Sequence, residues 1–467
     1  MYSLKALENK CAMSLGGKMI RLNWRYCLSV FVLFSVCCTS LLLAAPPMSE
    51  VSRIKLVSNN NLPQKVLVVS AYNTQKFVKD LFNVIKYINE SSQLSGDEIV
   101  KLHIIPGSGN PIPALGISAQ DAEKYVEVNS KFSSSDIWMQ DCMEICAAEL
   151  KGSGKLVQAV FDSNRGRGLA RLPGILSDMW DLVYFKNPSG AQSHGDYGGN
   201  LEVAPFDDIM VAGSTITGPC KKFFEDNGYK NRMFLGDTSW LTVGHIDEYV
   251  MFIPTAWAPG GYSVIRADTA YAFELIRNSP DSDLAQISGY DRDFLLKVKK
   301  LLVAQLDNPD AGKGTREGDF IALNYAINDI IEDNVGRMKQ FIRNTSKDYN
   351  RDFEEVSWPT LFEGSGTTNP RRCCAYLPGV VNLLVVRDHL IVPATHIPSF
   401  DKAIEARLKA QGNKVHFVDD TPYHNSMGEI HCGTNVLRDP YRTILTREQV
   451  AKVQAVRNRF KEIHNDR

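Results

Sequence analysis

The sequence predicts a mixed α/β domain of about 400 residues, and three observations predict it. Short aliphatic and β-branched runs recur along the chain, and amphipathic segments with helical spacing lie between them. Beyond Pro47 there is neither a low-complexity linker nor an obvious tandem repeat. The strand candidates, in order, are Val66-Leu67-Val68-Val69, Leu102-His103-Ile104-Ile105, Leu156-Val157-Gln158-Ala159-Val160-Phe161 and Ile209-Met210-Val211-Ala212. Tyr249-Val250-Met251-Phe252-Ile253 and Val381-Asn382-Leu383-Leu384-Val385-Val386 follow. Several of these runs are apolar at nearly every position, as strands covered on both faces are. Helices are expected over residues 291–306 and 320–342, where apolar residues recur every three or four positions with charges between. A shorter one is expected over residues 401–410, stopped by Gly412. The longest helices cluster in one central region, which favours one large domain over two independent ones.

With 44% hydrophobic and 22% charged residues, the chain has the means to bury a sizeable core. A formal net charge of -1 lends no support to a nucleic-acid partner. Residues 1–45 read as a segment outside the fold. Lys10, Lys18, Arg21 and Arg25 precede an apolar run over residues 26–45, Pro46-Pro47 break it, and Ala44 and Ala45 offer small residues for cleavage. A signal peptide is the first reading. An uncleaved signal anchor is the second, because the run approaches the roughly 20 residues that span a bilayer. Met19 is an alternative start, since residues 1–18 add nothing a signal needs. Either reading places the body outside the cytoplasm: secreted or periplasmic in the first case, membrane-anchored in the second.

Beyond the leader the cysteines are Cys142, Cys146, Cys220, Cys373, Cys374 and Cys432. Their spacing resembles no zinc ribbon, so no metal held by thiolates is expected. Disulfide pairing of some of them stays open for an exported chain.

Three polar clusters carry the chemistry. Gly428-Glu429-Ile430-His431-Cys432-Gly433-Thr434-Asn435 reads as a short strand ending in a thiol, followed by a turn that leaves the sulfur accessible. Gly244-His245-Ile246-Asp247-Glu248 reads as a strand in which His245 and Asp247 share a face. Trp138-Met139-Gln140-Asp141 joins an indole to a carboxylate three residues on. Taken singly each is bland: a lone cysteine is more often a small buried hydrophobe, and a His-x-Asp is more often a satisfied histidine beside a solvated carboxylate. Together, a thiol, a histidine and two separate aspartates are the parts needed for covalent attack on a cationic carbon.

On these residues the chain resembles the catalytic domain of the protein-arginine deiminases. The likeness rests on Ile137-Trp138-Met139-Gln140-Asp141, on Phe161-Asp162-Ser163 with Arg165 and Arg167, and on Gly199-Asn200-Leu201-Glu202-Val203. It continues through Trp240-Leu241, Val243 to Glu248, Val381-Asn382 and Gly428 to Asn435, in the family's order from about residue 60 to the C-terminus. The resemblance implies one catalytic domain over residues 60–467, folded as a five-bladed pentein-type α/β propeller. It also implies calcium-dependent conversion of arginine in proteins or peptides to citrulline.

Residue by residue, the resemblance implies Cys432 as nucleophile, His245 as acid and base, and Asp141 and Asp247 as the grip on the guanidinium. Arg165 and Arg167 would contact the substrate backbone, and Trp138 would wall the aliphatic stem. One calcium ion would take Gln140, Glu144, Glu202 and the carbonyls of Gly198 and Leu201. A second would take Asp162 and Ser163, weakened because Cys142 stands where the family has an acidic ligand and Gly166 where it has an amide. Ser426-Met427 replaces basic residues ahead of the thiol, which bears on substrate preference. Deimination of free arginine or agmatine and a catalytically silent calcium-binding protein are the alternatives. The oligomeric state is not indicated.

Overall fold

The computed structural model describes residues 13–15, 18–20, 45–190, 193–285, 292–346 and 352–465. They fall into two units, residues 1–46 and 47–467. In the first, Met13–Leu15 pairs antiparallel with Lys18–Ile20. The rest of the expected leader, up to residue 44, lies outside the described residues. Among the described residues no helix is long and apolar enough to cross a membrane.

The second unit is mixed α/β, as expected. Five of its sheets repeat one pattern: two antiparallel strands, a helical crossover, then a third strand parallel to the second. Met143–Leu150, Leu156–Asp162 and Val183–Lys186 form one such set, crossed over by the helix Leu172–Trp180. Leu201–Ala204, Ile209–Gly213 and Met233–Gly236 form the next, with the helix Gly218–Phe224 between the last two. Val250–Pro254, Tyr262–Asp268 and Glu354–Pro359 form a third. Its crossover holds the helices Thr269–Asn278, Arg292–Ala304 and Arg316–Thr345. Leu384–Val386, His389–Pro393 and Lys414–Val418 form a fourth, with the helix Pro398–Ala410. The fifth joins distant parts of the chain: Thr434–Thr443 pairs antiparallel with Asn61–Ser70, which pairs parallel with Lys101–Pro106.

The helices pack because their apolar residues fall on one stripe. In Gln75–Ser91 the buried residues Phe77, Val78, Leu81, Phe82, Ile85 and Ile88 recur at three- and four-residue spacing. In Arg316–Thr345 the stripe runs Phe320, Ile327, Ile331, Val335, Met338 and Ile342, and the Thr315 hydroxyl accepts the Gly318 amide to cap the start. That cap explains why the helix begins ahead of the expected residue 320.

Two sequence expectations shift. Val51–Leu56 pairs with Met143–Leu150, so the sheets begin upstream of residue 60. Only Leu384–Val386 of the run from Val381 is a strand; residues 381–383 form a turn.

One placement matters most for the site. Each of the five sets is preceded by a short polar segment: residues 138–142, 198–200, 245–248, 381–383 and 430–433 come just before Met143, Leu201, Val250, Leu384 and Thr434. The polar residues of interest therefore occupy equivalent positions in the repeated unit.

Candidate active site

The turn that carries Cys432 is helical, not the strand expected. Glu429 precedes a single turn, Ile430–Gly433, and the strand starts only at Thr434. Asn382 holds this turn: its Oδ1 accepts the Cys432 amide at 3.0 Å and its carbonyl accepts the His431 amide at 3.1 Å. Its Nδ2 donates to the Asp247 carbonyl at 3.3 Å, which joins the Cys432 turn to the Asp247 segment. The Cys432 carbonyl accepts the Gln140 amide at 3.1 Å, which brings in the Asp141 segment.

His245 and Asp247 are not on a strand either. Residues 246–248 form a 3-10 turn, with His245 at its head. The Glu248 carboxylate accepts the amides of Gly244 and His245 at 3.0 and 2.8 Å. Gly244 stands at φ 86, a left-handed conformation that a residue with a Cβ resists. Both side chains still reach one place, because a Cβ on Gly199 would lie 2.8 Å from His245 Nδ1 and 2.9 Å from Asp247 Oδ2.

The side chains of Cys432, His245, Asp141 and Asp247 thus converge. Asp247 Oδ2 is 3.8 Å from the Cys432 sulfur, and His245 Nδ1 is 4.0 Å from Asp141 Oδ1. His245 Nε2 lies 2.9 Å from the His194 carbonyl, an acceptor only, so Nε2 carries the proton and Nδ1 is left to face Asp141. The thiol is 5% exposed, not accessible as the sequence suggested. It lines a cavity of about 230 Å³ whose wall includes Glu248, Glu363, Met427 and Glu429. Burial pushes the Cys432 thiol well above its ordinary range, with Asp247 and Asp141 adding to the rise. Burial also raises Asp141, against the pull of His245 and Arg165.

Arg165 and Arg167 part company. Arg165 is 0% exposed; its guanidinium lies 3.0 Å from Asp136 and 3.4 Å from Asp141. A side chain so enclosed cannot contact a peptide backbone at the surface, and it braces Asp141 instead. Arg167 is exposed. Trp138 is half-buried, over Gly428 and edge-on to Tyr423 at 5.8 Å between centroids.

The residues assigned to the first cation also gather. Gln140, Glu144, Leu201 and Glu202 line one cavity of about 30 Å³, and Gly198 abuts Gln140. Gln140 Nε2 donates to Glu144 at 2.8 Å. Burial, then the mutual repulsion with Glu202, raises Glu144 well above the carboxylate range, and burial lifts Glu202 to about 7. Arg438 lines the same cavity, and burial drives its guanidinium down to about 10. Asp162 and Ser163 are engaged elsewhere. Asp162 accepts from the Tyr184 hydroxyl and the Asn164 amide, and Ser163 donates to the Asp141 carbonyl at 2.6 Å.

Sequence reasoning assigned no role to Asn382, Asp136 or His431. His431 Nδ1 sits 2.8 Å from Asp247 Oδ2, and its Nε2 is 3.9 Å from Glu202, so it bridges the two groups of carboxylates. The Val381-Asn382 pair within the resemblance was the one signal for the first. The others act through partners far away in sequence.

Comparison with known proteins agrees with this geometry. Mouse protein-arginine deiminase type-3 is 27% identical over 345 residues, which is 66% of this chain and 47% of that protein. Human protein-arginine deiminase type-4 is 27% identical over 339 residues with the same coverage. The chain spans about half the length of these curated relatives. A solved structure described as a candidate peptidyl-arginine deiminase shares the fold, with a TM-score of 0.51 and 14% identity over 83% of this chain and 99% of that one. The family profile of protein-arginine deiminase (PAD) matches residues 114–444, well over half of the sequence, so the chain belongs to the protein-arginine deiminase family.

Proposed function

We propose that this protein hydrolyses peptidyl-arginine to peptidyl-citrulline and ammonia in a calcium-dependent manner, through a covalent thiouronium intermediate on Cys432. The observation that carries the proposal is the buried pair Asp141 and Asp247, converging beside an un-ionised thiol and a histidine with a free Nδ1. Two buried carboxylates beside one thiol call for a cationic partner, and a planar guanidinium offers bidentate bonds to both.

Bound there, the substrate cation offsets the two charges that hold the thiol protonated, and the Cys432 thiolate forms as the thiol proton passes to His245 Nδ1. Its sulfur adds to the guanidinium carbon. His245 Nδ1, carrying a proton at this stage, gives it to one terminal nitrogen as that C–N bond breaks, and ammonia leaves. Water then adds to the thiouronium carbon while His245 takes its proton. The C–S bond breaks, citrulline departs and Cys432 is restored. Trp138 would flank the aliphatic stem and Arg167, exposed near the site, would bind the substrate backbone.

The donors present fit calcium: Gln140, Glu144, Glu202 and the carbonyls of Gly198 and Leu201 supply oxygens from two segments, and two buried acids lack adequate positive charge. When bound, calcium supplies that charge and draws the two segments together. Asp162 and Ser163 belong to a second site only if their present hydrogen bonds open. Gln140 adjoins Asp141 and His431 joins Glu202 to Asp247, so order in the cation site passes to both gripping carboxylates.

We read the five repeated sheets as the blades of a pentein-type propeller in a single catalytic domain. We also propose export, on the strength of the basic and apolar leader; cell fractionation finding the protein only in the cytoplasm would refute it. The central test measures ammonia and citrulline from a blocked arginine peptide against free arginine and agmatine, with calcium and with chelator. Turnover of the peptide, lost in Cys432→Ala and in chelator, is expected. Activity on the free compounds alone would overturn the substrate assignment, and full activity in excess chelator would overturn the calcium assignment.

A further inference from the structure

Asp420 is an aspartate at the head of the helical turn Thr421–His424, yet its side chain bonds to none of that turn's amides. It points inward instead. It is fully buried and in hydrogen-bonding contact with the carboxyl of Glu429. Neither oxygen of Asp420, nor Glu429 Oε2, nor the Tyr423 hydroxyl has a donor or acceptor partner when both acids are taken as charged. Two carboxylates cannot share a dry contact, because each only accepts; one proton between them turns the repulsion into a hydrogen bond.

The partners say where that proton sits. Burial raises Glu429 to about 8, but its Oε1 accepts the Gly379 amide at 2.9 Å and lies 2.8 Å from His424 Nδ1, so of the two acids it is the one better placed to hold the charge. Asp420 has no such donors among the described residues. Lys76 and His396, the cations close by, approach Asp419 at 3.3 and 3.5 Å instead. The other titratable groups around the pair are Tyr423 on the same turn and Glu363, which acts on His424 from the strand Phe362–Ser365.

We propose that Asp420 is a neutral carboxylic acid whose proton is donated to Glu429, and that this bond positions the Cys432 turn. Glu429 is the residue that heads that turn; its carbonyl accepts the Gly433 amide. Its carboxylate also holds Gly379, whose carbonyl accepts the Asn382 amide at 3.0 Å, and Asn382 in turn holds Cys432. Asp420 touches no substrate and acts only through Glu429. The inference rests on reading Cys432 as the nucleophile, but the proton itself is observable without turnover.

The test uses Asp420→Asn, whose amide donates to Glu429 at any pH, beside Asp420→Ala, which cannot. Infrared spectra of the whole protein at about pH 7 should show a protonated-acid carbonyl band in the wild type that Asp420→Asn lacks. In the citrulline assay, Asp420→Ala should lose about tenfold in kcat, and Asp420→Asn should recover most of it. The activity of the wild type should also fall at lower alkaline pH than that of Asp420→Asn, which lacks the proton to lose. Identical acid bands in wild type and Asp420→Asn would overturn the proposal whatever the enzyme's substrate. So would an unchanged alkaline limb in Asp420→Asn. Absence of turnover in every form, with the band difference present, would refute the deiminase reading alone.

Discussion

Replacing Asn382 with alanine removes a side chain that touches both halves of the site. Its Oδ1 holds the Cys432 amide at 3.0 Å and its Nδ2 reaches the Asp247 carbonyl at 3.3 Å. Asn382 and Cys432 are both buried, so truncation leaves a buried amide without its acceptor. Such a loss costs about 1–3 kcal/mol. If the cost falls on the transition state, about 1.4 kcal/mol per decade makes it roughly a 10- to 100-fold loss in kcat/KM. The carboxylates themselves remain, so the loss should lie in kcat more than in KM. Asn382→Asp keeps the acceptor but not the donor and should fall between. Steady-state citrulline formation from a blocked arginine peptide measures this, with urea unfolding to separate lost stability from lost chemistry. A kcat within about twofold of wild type in Asn382→Ala would refute the claim that Asn382 sets the thiol.

Three further outcomes follow from the electrostatics. Arg165→Gln removes a charge that draws Asp141 down, so Asp141 rises further and the acid limb of kcat/KM should move to higher pH; an unmoved limb contradicts the brace. Asp247→Asn removes the largest charge contribution to the raised Cys432 thiol, and alkylation by iodoacetamide at neutral pH should speed up; a slower or equal rate counts against it. Glu202 is lifted to about 7 and Glu248 to about 8 by burial. Raised acids contribute stability that is complete below their unfolded range near 4.5 and lost as pH climbs through the folded values. In chelator, Tm should therefore fall from pH 5 to pH 8, and calcium should restore more of it at pH 8, an effect diminished in Glu144→Ala; equal gains at both pH values would contradict cation binding there.

The strands were legible because their cores are dense in valine and isoleucine, as in Val66-Leu67-Val68-Val69, and burial on both faces needs no alternation. The long helices were legible from their stripes. The turns at His245 and Cys432 were not. A single helical turn has too few residues for periodicity, and here its geometry is set by side chains: Asn382, some fifty positions upstream, holds the Cys432 turn, and Glu248 accepts the amides of Gly244 and His245. Arg165 was misread for a similar reason. Beside an exposed Arg167 it looks like a second surface cation, and the carboxylates that accompany its burial, Asp136 and Asp141, lie well upstream. The residues proposed to bind calcium came through family likeness alone, since two glutamates and a glutamine carry no spacing that marks calcium.

The strand Thr434–Thr443, which follows Cys432 directly, pairs with Asn61–Ser70 near the other end of the folded unit. During synthesis, everything but the thiol emerges first: Asp141, then His245 and Asp247, then Asn382. The nucleophile has no seat until that late strand reaches one of the earliest, a contact spanning nearly the whole unit, and such distant pairings close slowly. On the proposed function, a ribosome-bound chain would then be inert toward the proteins around it. On the same reading, a chain cut ahead of Thr434 would be inert as well, however well the remaining sheets hold together.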